Sequence, residues 1–144
     1  MKFGNYMTLD FPSKSSNEAF ARSAVACFAA QMDPTLEELG DIRTAVSEAV
    51  TNCIVHAYKE QFGYIFLTVQ IFEDNRIIIK IRDKGCGIDD IKKAREPLYT
   101  SLGGERSGLG FSVMESFSDS LRVRSKVGVG TTVTVDKKIK GKNQ

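Results

Sequence analysis

The sequence predicts an α/β two-layer sandwich: a mixed, mainly antiparallel sheet with helices on one face. Three observations predict it. Two stretches of helical apolar spacing follow one another in the first third of the chain. Two pairs of β-branched runs, each pair joined by a short turn, come later. A third helical stretch sits between those pairs, after a window rich in glycine. The 144 residues fit one domain that can bury a core without staples. We expect that domain over residues 1–136, followed by a basic, flexible tail over 137–144.

The elements follow in order. YMTLDF (6–11) alternates Met7, Leu9 and Phe11 on one face and reads as a strand. Ser15 with Glu18 has the capping-box pattern, opening a helix with Phe20, Ala24, Cys27 and Phe28 on one face. Asp33 is the expected N-cap and Pro34 the first residue of a second helix running to about Tyr58. YIFLTVQIF, a turn at Glu73-Asp74-Asn75, and RIIIKIRD form a hairpin, and its first strand, apolar on both faces, belongs inside the sheet. From Gly85 to Gly110 the character changes. Half of the 12 glycines and one of the three prolines fall there, which reads as loop with one short helix near Ile88–Arg95. GLGFSVMESF is a helix entered directly from glycine. LRVRS and TTVTVDK close the chain as a second hairpin around KVGVG, and KKIKGKNQ reads as a solvated, fraying end.

Composition excludes several function classes. With 42% apolar and 26% charged residues the chain is an ordinary globular one. No apolar run approaches membrane-spanning length and no signal peptide opens the chain, so the expected setting is cytoplasmic, without a membrane partner. A net charge of +2 is too small to argue for direct contact with nucleic acid. Cys27, Cys53 and Cys86 are odd in number and far apart, and suit reduced, packed thiols rather than disulfides or a zinc site.

Two features carry chemistry. In TAVSEAVTNCIVHAY (44–58), Ile42, Val46, Ala49, Val50 and Cys53 fall on the side that must face the sheet. Glu48, Asn52 and the only histidine, His56, form a row on the shoulder of that stripe. A half-buried carboxylate there loses hydration unless something polar meets it. The row is either a hydrogen-bonded helix edge or one wall of a cleft for a metal and an anion. In RDKGCGI (82–88), Asp83 ends a strand, and Gly85 and Gly87 either make a turn or let backbone approach a flat or phosphorylated ligand. ERSGLGF (105–111) puts Gly108 and Gly110 at a helix start, where free N–H groups favour an anion. No Walker A pattern is present: Gly108, at the right spacing from Gly103, is followed by Leu109. The protein-kinase glycine loop is missing too.

Taken together, Glu48-x-x-x-Asn52, Asp83-x-Gly85-x-Gly87 and Gly108-Leu109-Gly110 resemble the N, G1 and G2 boxes of the ATPase fold shared by gyrase B, Hsp90, histidine kinases and MutL. This is the GHKL, or Bergerat, ATP-binding fold. Thr100 to Gly108 corresponds to the second half of its lid, and Thr131-Thr132 to the threonine that ends the pattern. NEAFAR, AQMDPTLEEL, VSEAVTN, REPLYT and ERSGLGF further resemble the anti-sigma-F family of endospore-forming bacteria, whose members are also serine kinases. The likeness runs from about Tyr6 to Val135.

The resemblance implies ATP/ADP and Mg²⁺ as ligands. Asn52 would hold the metal, and Glu48 would be general base. Asp83, with Thr132 beside it, would accept the adenine amine, while Gly85 and Gly87 give the base close access. Gly108, Leu109 and Gly110 would offer N–H groups to the phosphates, Arg106 would neutralise the moving phosphoryl group, and Ile88, Thr100 and Ser107 would complete the nucleotide contacts. His56 would support the site from the end of its row. Because that histidine lies in the nucleotide helix, the phosphoacceptor must lie on another protein, by resemblance a serine of an anti-anti-sigma factor. A homodimer would sequester sigma factor F, with Arg22 as a partner contact. Alternatives are the general-stress counterpart, a nucleotide-gated binding module with negligible turnover, and, less favoured, a gyrase- or Hsp90-type clamp.

Overall fold

The structure, a computed structural model, describes residues 3–58, 63–88, 109–116 and 118–141. The elements are β1 (Phe3–Pro12), α1 (Ser16–Ala29), a 3₁₀ turn (Ala30–Met32), α2 (Leu36–Asn52), a π turn (Cys53–Ala57), β2 (Tyr64–Phe72), β3 (Arg76–Asp83), α3 (Leu109–Ser116), β4 (Ser120–Lys126) and β5 (Gly130–Lys138). The short helix expected near Ile88–Arg95 lies almost wholly outside the described residues.

The five strands run in the order β1-β2-β3-β5-β4, and all four pairings are antiparallel. β2 is interior, as its two apolar faces require. Its alternate residues Ile65, Leu67, Val69 and Ile71 are buried with Ile77, Ile79 and Ile81 of β3 and Val133 and Val135 of β5. These side chains share the sheet face that the helices cover. α2 lies centrally on it through Ile42, Ala45, Val46, Ala49, Val50 and Cys53, each no more than 4% exposed. α1 and α3 both pack against α2, α3 contributing Phe111 and Met114. Branched side chains fully buried this way contribute about 1.5–3 kcal/mol each.

Five expectations need correction. α1 buries Ala21, Val25, Ala26 and Ala29, while Phe20 is 55% exposed, Cys27 is exposed and Ala24 and Phe28 are half-buried. The small residues suit close packing of α1 on α2, while Phe20 is left outward and Phe28 packs only partly against the core. Of the three thiols, only Cys53 is packed; Cys27 and Cys86 are exposed. Ser15 is helical and makes no side-chain cap. Glu18 turns instead to the Ser47 hydroxyl and to Arg22. The capping box is one helix later. Thr35 accepts from the Glu38 N–H at 3.1 Å, and Glu38 accepts from the Thr35 N–H at 2.9 Å. Asp33, at φ 53°, ends the 3₁₀ turn rather than opening α2.

The fifth correction concerns residue 137 onward. β5 continues to Lys138, Ile139 is 2% exposed, and Lys137 pairs with Asp41 at 3.4 Å. The Lys140 and Gly141 N–H groups donate to the Glu38 carboxylate at 2.6 and 3.1 Å. The expected fraying end is thus anchored through Gly141; residues 142–144 lie outside the described residues.

Candidate nucleotide site

The C-terminal end of α2 does not simply stop. The Tyr58 N–H bonds to the Cys53 carbonyl, five residues back, at 3.1 Å, and the chain widens into one π turn. Such turns leave carbonyls free for other partners. Here they hold the loop after β3. The Cys86 N–H donates to the Ala57 carbonyl at 3.1 Å, and the Cys86 thiol lies 3.3 Å from the His56 carbonyl. The same loop accepts from the other side, the Gly128 N–H donating to the Cys86 carbonyl at 2.9 Å.

This double docking explains the two glycines. A Cβ on Gly85 would strike the Ala57 carbonyl, with the Ala57 Cβ 2.6 Å away. Gly87 has φ +80°, and a Cβ there would strike the Lys126 carbonyl. At both positions protein backbone occupies the space a Cβ would take, which by itself requires glycine. Ile88 follows, half-buried against the core, its N–H donating to Ser125 Oγ at 2.8 Å.

Asp83 is the centre of the arrangement. It is 5% exposed at the end of β3. Its Oδ1 accepts from the Gly85 and Thr131 N–H groups at 2.9 and 3.2 Å, while Oδ2 meets the Cys53 thiol at 3.5 Å. Burial pushes the carboxyl above its ordinary pKa, against the opposing pull of those bonds. Burial also raises the Cys53 thiol well above its usual value, with the charge of Asp83 adding to it. One carboxylate oxygen is therefore fixed by backbone, and among the described residues the other meets only a weak thiol donor.

The threonine beside Asp83 is Thr131, not Thr132. Asp83 pairs with Thr131 across β3 and β5, and Arg82 with Thr132. With alternation of two, Thr132 points to the opposite sheet face. Thr131 is 7% exposed, and its Oγ1 lies 2.7 Å from Ser125 Oγ. Two further organisers went unread in the sequence. Ser125 joins Ile88, Gly130 and Thr131. Tyr58, 8% exposed, accepts from the Lys84 N–H at 2.6 Å and donates to the Tyr64 carbonyl at 2.7 Å. Burial raises its phenol pKa. The readable signal for Tyr58 was an aromatic ending a helix just before an interior strand.

Glu48, Asn52 and His56 are all half-buried. Glu48 and Asn52 lie one turn apart on α2, about 6 Å along its axis, and His56 sits in the π turn beyond them. Leu109 and Gly110 are the first residues of α3. Thr100, Arg106, Ser107 and Gly108 lie outside the described residues. Arg22 stands apart on α1, paired with Glu18 at 3.1 Å. Among the described residues no cluster of three or more His, Cys, Asp or Glu could hold a metal alone. The hard amide oxygen of Asn52 fits Mg²⁺, which keeps waters and phosphates as most of its ligands.

The family model for the histidine kinase-like ATPase domain matches residues 11–137. The anti-sigma F factor of Caldanaerobacter subterraneus subsp. tengcongensis is 54% identical over 145 residues, covering 100% of both chains. That of Clostridium beijerinckii is 55% identical over 136 residues, covering 93% of this chain and 94% of its own. Among solved structures, the RsbU and RsbW domains of Rv1364c from Mycobacterium tuberculosis superpose with a TM-score of 0.69 at 16% identity, covering 94% of this chain and 33% of that one. That last likeness speaks to the fold alone. Among the described residues no helix is long and apolar enough to cross a membrane. The boxes on α2, after β3 and at the start of α3 thus sit in a five-stranded sandwich of the same kind, and the chain belongs to the histidine kinase-like ATPase domain family and, within it, to the anti-sigma F factors.

Proposed function

We propose that this chain binds Mg-ATP between α2 and the loop after β3, and transfers the γ-phosphoryl group to a serine of an anti-anti-sigma protein. The observation that carries the reading is Asp83, a buried carboxylate with one oxygen fixed by backbone and the other short of a strong donor. An adenine amine is such a donor. Thr131 takes the position beside it, and Ile88 lies at the edge of the same loop. By the family resemblance the N–H groups of Gly108, Leu109 and Gly110 would meet the phosphates, and Thr100 and Ser107 would complete the contacts. Asn52 holds the Mg²⁺, which neutralises phosphate charge when bound with the nucleotide. The serine oxygen bonds to the γ-phosphorus as the bond to the β–γ bridging oxygen breaks and ADP leaves. Glu48 takes the serine proton. Arg106 balances charge on the moving group.

The second part of the reading is capture of sigma factor F, which the names of the relatives support; that the chain does so as a homodimer in the cytoplasm is part of the proposal. Arg22 is the partner contact. Its part-exposed pair with Glu18 contributes only about 0.3–0.5 kcal/mol, little to give up to a partner carboxylate.

The test is phosphotransfer from γ-labelled ATP to the anti-anti-sigma protein, with and without Glu48→Gln. Loss of a positioned base should slow transfer by ~10²–10⁴ while nucleotide binding persists. Wild type that binds ATP yet leaves the acceptor unlabelled would leave a nucleotide-gated binding module; equal rates in both proteins would remove Glu48 as base.

A further inference from the structure

The sheet has a second face that no described helix covers, and cations dominate its β3–β5–β4 part: Asp136 there is held by Arg76, and Asp10 lies two strands from β3 on β1. Lys80, Arg82 and Lys84, in and just after β3, and Arg122, Arg124 and Lys126 on β4 are all exposed. The register sets them in rungs, Lys80–Thr134–Arg122 and Arg82–Thr132–Arg124. Within a column the cations repeat every 6.6 Å or so, and the columns, with β5 between them, stand about 9.5 Å apart. Arg82 and Lys84 lie over the Phe66 ring, 5.0 and 5.1 Å from its centre. Among the described residues none of the six forms an ion pair; the ion pairs there are those of Arg22, Arg76 and Lys137. The modest net charge of +2 conceals this segregation.

Six uncompensated cations held on rigid strands repel one another, and the arrangement costs stability unless a partner uses it. We propose that this face docks an acidic segment of a partner protein, whose Asp and Glu side chains engage the two columns. A second copy of the chain is excluded as occupant on the same face, since a twofold contact would oppose six cations to six. Single-stranded nucleic acid is disfavoured because such sites stack bases on open aromatic rings, and the Phe66 ring within the patch already carries two cations. The neighbouring β4–β5 turn adds Val127 and Val129, each 58% exposed, as an apolar border that suits a protein contact. The proposal does not rest on the nucleotide reading.

The test uses the full chain and a fluorescein-labelled peptide of alternating aspartate and glutamate, followed by anisotropy. The reversal Lys80→Glu, Arg82→Glu, Arg122→Glu, Arg124→Glu should weaken binding by about tenfold or more at low salt. Arg43→Glu, on the exposed side of α2, should change it less than about twofold, separating local from net charge. A four-glutamine version of the same positions serves if the reversal fails to fold, and ATP binding should be unchanged in both. The proposal is overturned by absent peptide binding or by binding that survives the reversal. It is equally overturned if a thymidine oligonucleotide binds more tightly than the peptide through the same four residues. Sedimentation with phosphatidylserine vesicles that the reversal abolishes would overturn it too.

Discussion

Two buried carboxylates stand at the two ends of α2, and the chain treats them in opposite ways. Glu38, in the first turn, is 9% exposed and accepts from three backbone N–H groups, those of Thr35, Lys140 and Gly141. Burial alone would raise its pKa, but these bonds outweigh it and the value is lowered. Asp83, beside the last turn, is 5% exposed, and burial wins: its pKa is raised. The first carboxylate is saturated by its own chain and works as a clasp. The second is left half satisfied, which is the condition of a group awaiting a ligand.

The largest expected effect tests that contrast at Asp83. Asp83→Asn keeps the shape but loses the charge and can turn an amide N–H₂ toward the adenine amine. Nucleotide affinity should fall by roughly 100-fold, the loss of a charge-assisted bond. The Tm should change little, because a carboxylate raised in pKa by burial is not a stabilising charge at neutral pH. Calorimetric titration and a thermal melt check both halves. A variant that melts far lower and still binds ATP would make Asp83 a second clasp.

Glu38→Gln is the mirror image. It should cost about 2 kcal/mol of unfolding free energy, as charge-assisted bonds to buried N–H groups are lost, and leave ATP affinity unchanged. Urea unfolding gives the first quantity and titration the second. A drop in ATP affinity would mean that the clasp communicates along α2.

Acid should separate the pair in sign. Glu38 has a depressed folded pKa, so its stabilisation is complete above the unfolded value and is lost as pH falls through the folded one. Asp83 has a raised folded pKa, so its contribution is full below the unfolded value and is lost as pH rises through the folded one. Acidification should therefore weaken the clasp at the start of α2, where Glu38 loses its contribution, and cost no stability at Asp83, as read by amide exchange at Lys140 and Gly141. ATP affinity should fall by up to about tenfold per pH unit below the raised Asp83 value, since the protonated oxygen no longer accepts. An affinity that stays flat through that range would remove Asp83 as the acceptor.

Much of this was legible in the sequence, and the failures have physical causes. Hairpins such as 64–83 announce themselves because period-two apolar runs and a turn leave few alternatives. The buried stripe of α2 was readable because its apolar residues fall on one side only. α1 misled because it carries two apolar stripes, and the larger residues lie away from the buried one, Phe20 exposed and Phe28 only partly packed on the core; close helix contact favoured the alanines. The capping pattern occurs at both Ser15–Glu18 and Thr35–Glu38, and only Thr35 has the extended backbone a cap needs. The anchoring of the last residues depends on Glu38, a hundred positions away, so no local pattern could reveal it. At the site, residue types and order were readable. The π turn, Tyr58 and Ser125 were not, since their roles arise from backbone carbonyls and N–H groups brought together by the fold.

The smallest effect is the most exacting, because two adjacent threonines differ only in which way they point. Thr131 shares the buried face with Asp83, while Thr132 shares the open face with Arg82. Thr131→Val removes a hydroxyl that meets Ser125 at 2.7 Å. It should cost about 1 kcal/mol, and ATP affinity should drop by about fivefold as the Ser125 hub loosens its hold on Ile88. Thr132→Val should leave ATP affinity within about twofold, because strand alternation sends its side chain away from the nucleotide. Titration of both variants decides between them. If the loss appears at Thr132 instead, the adenine does not lie against Asp83 on the helix-covered face, and the contrast between the two carboxylates loses its functional meaning.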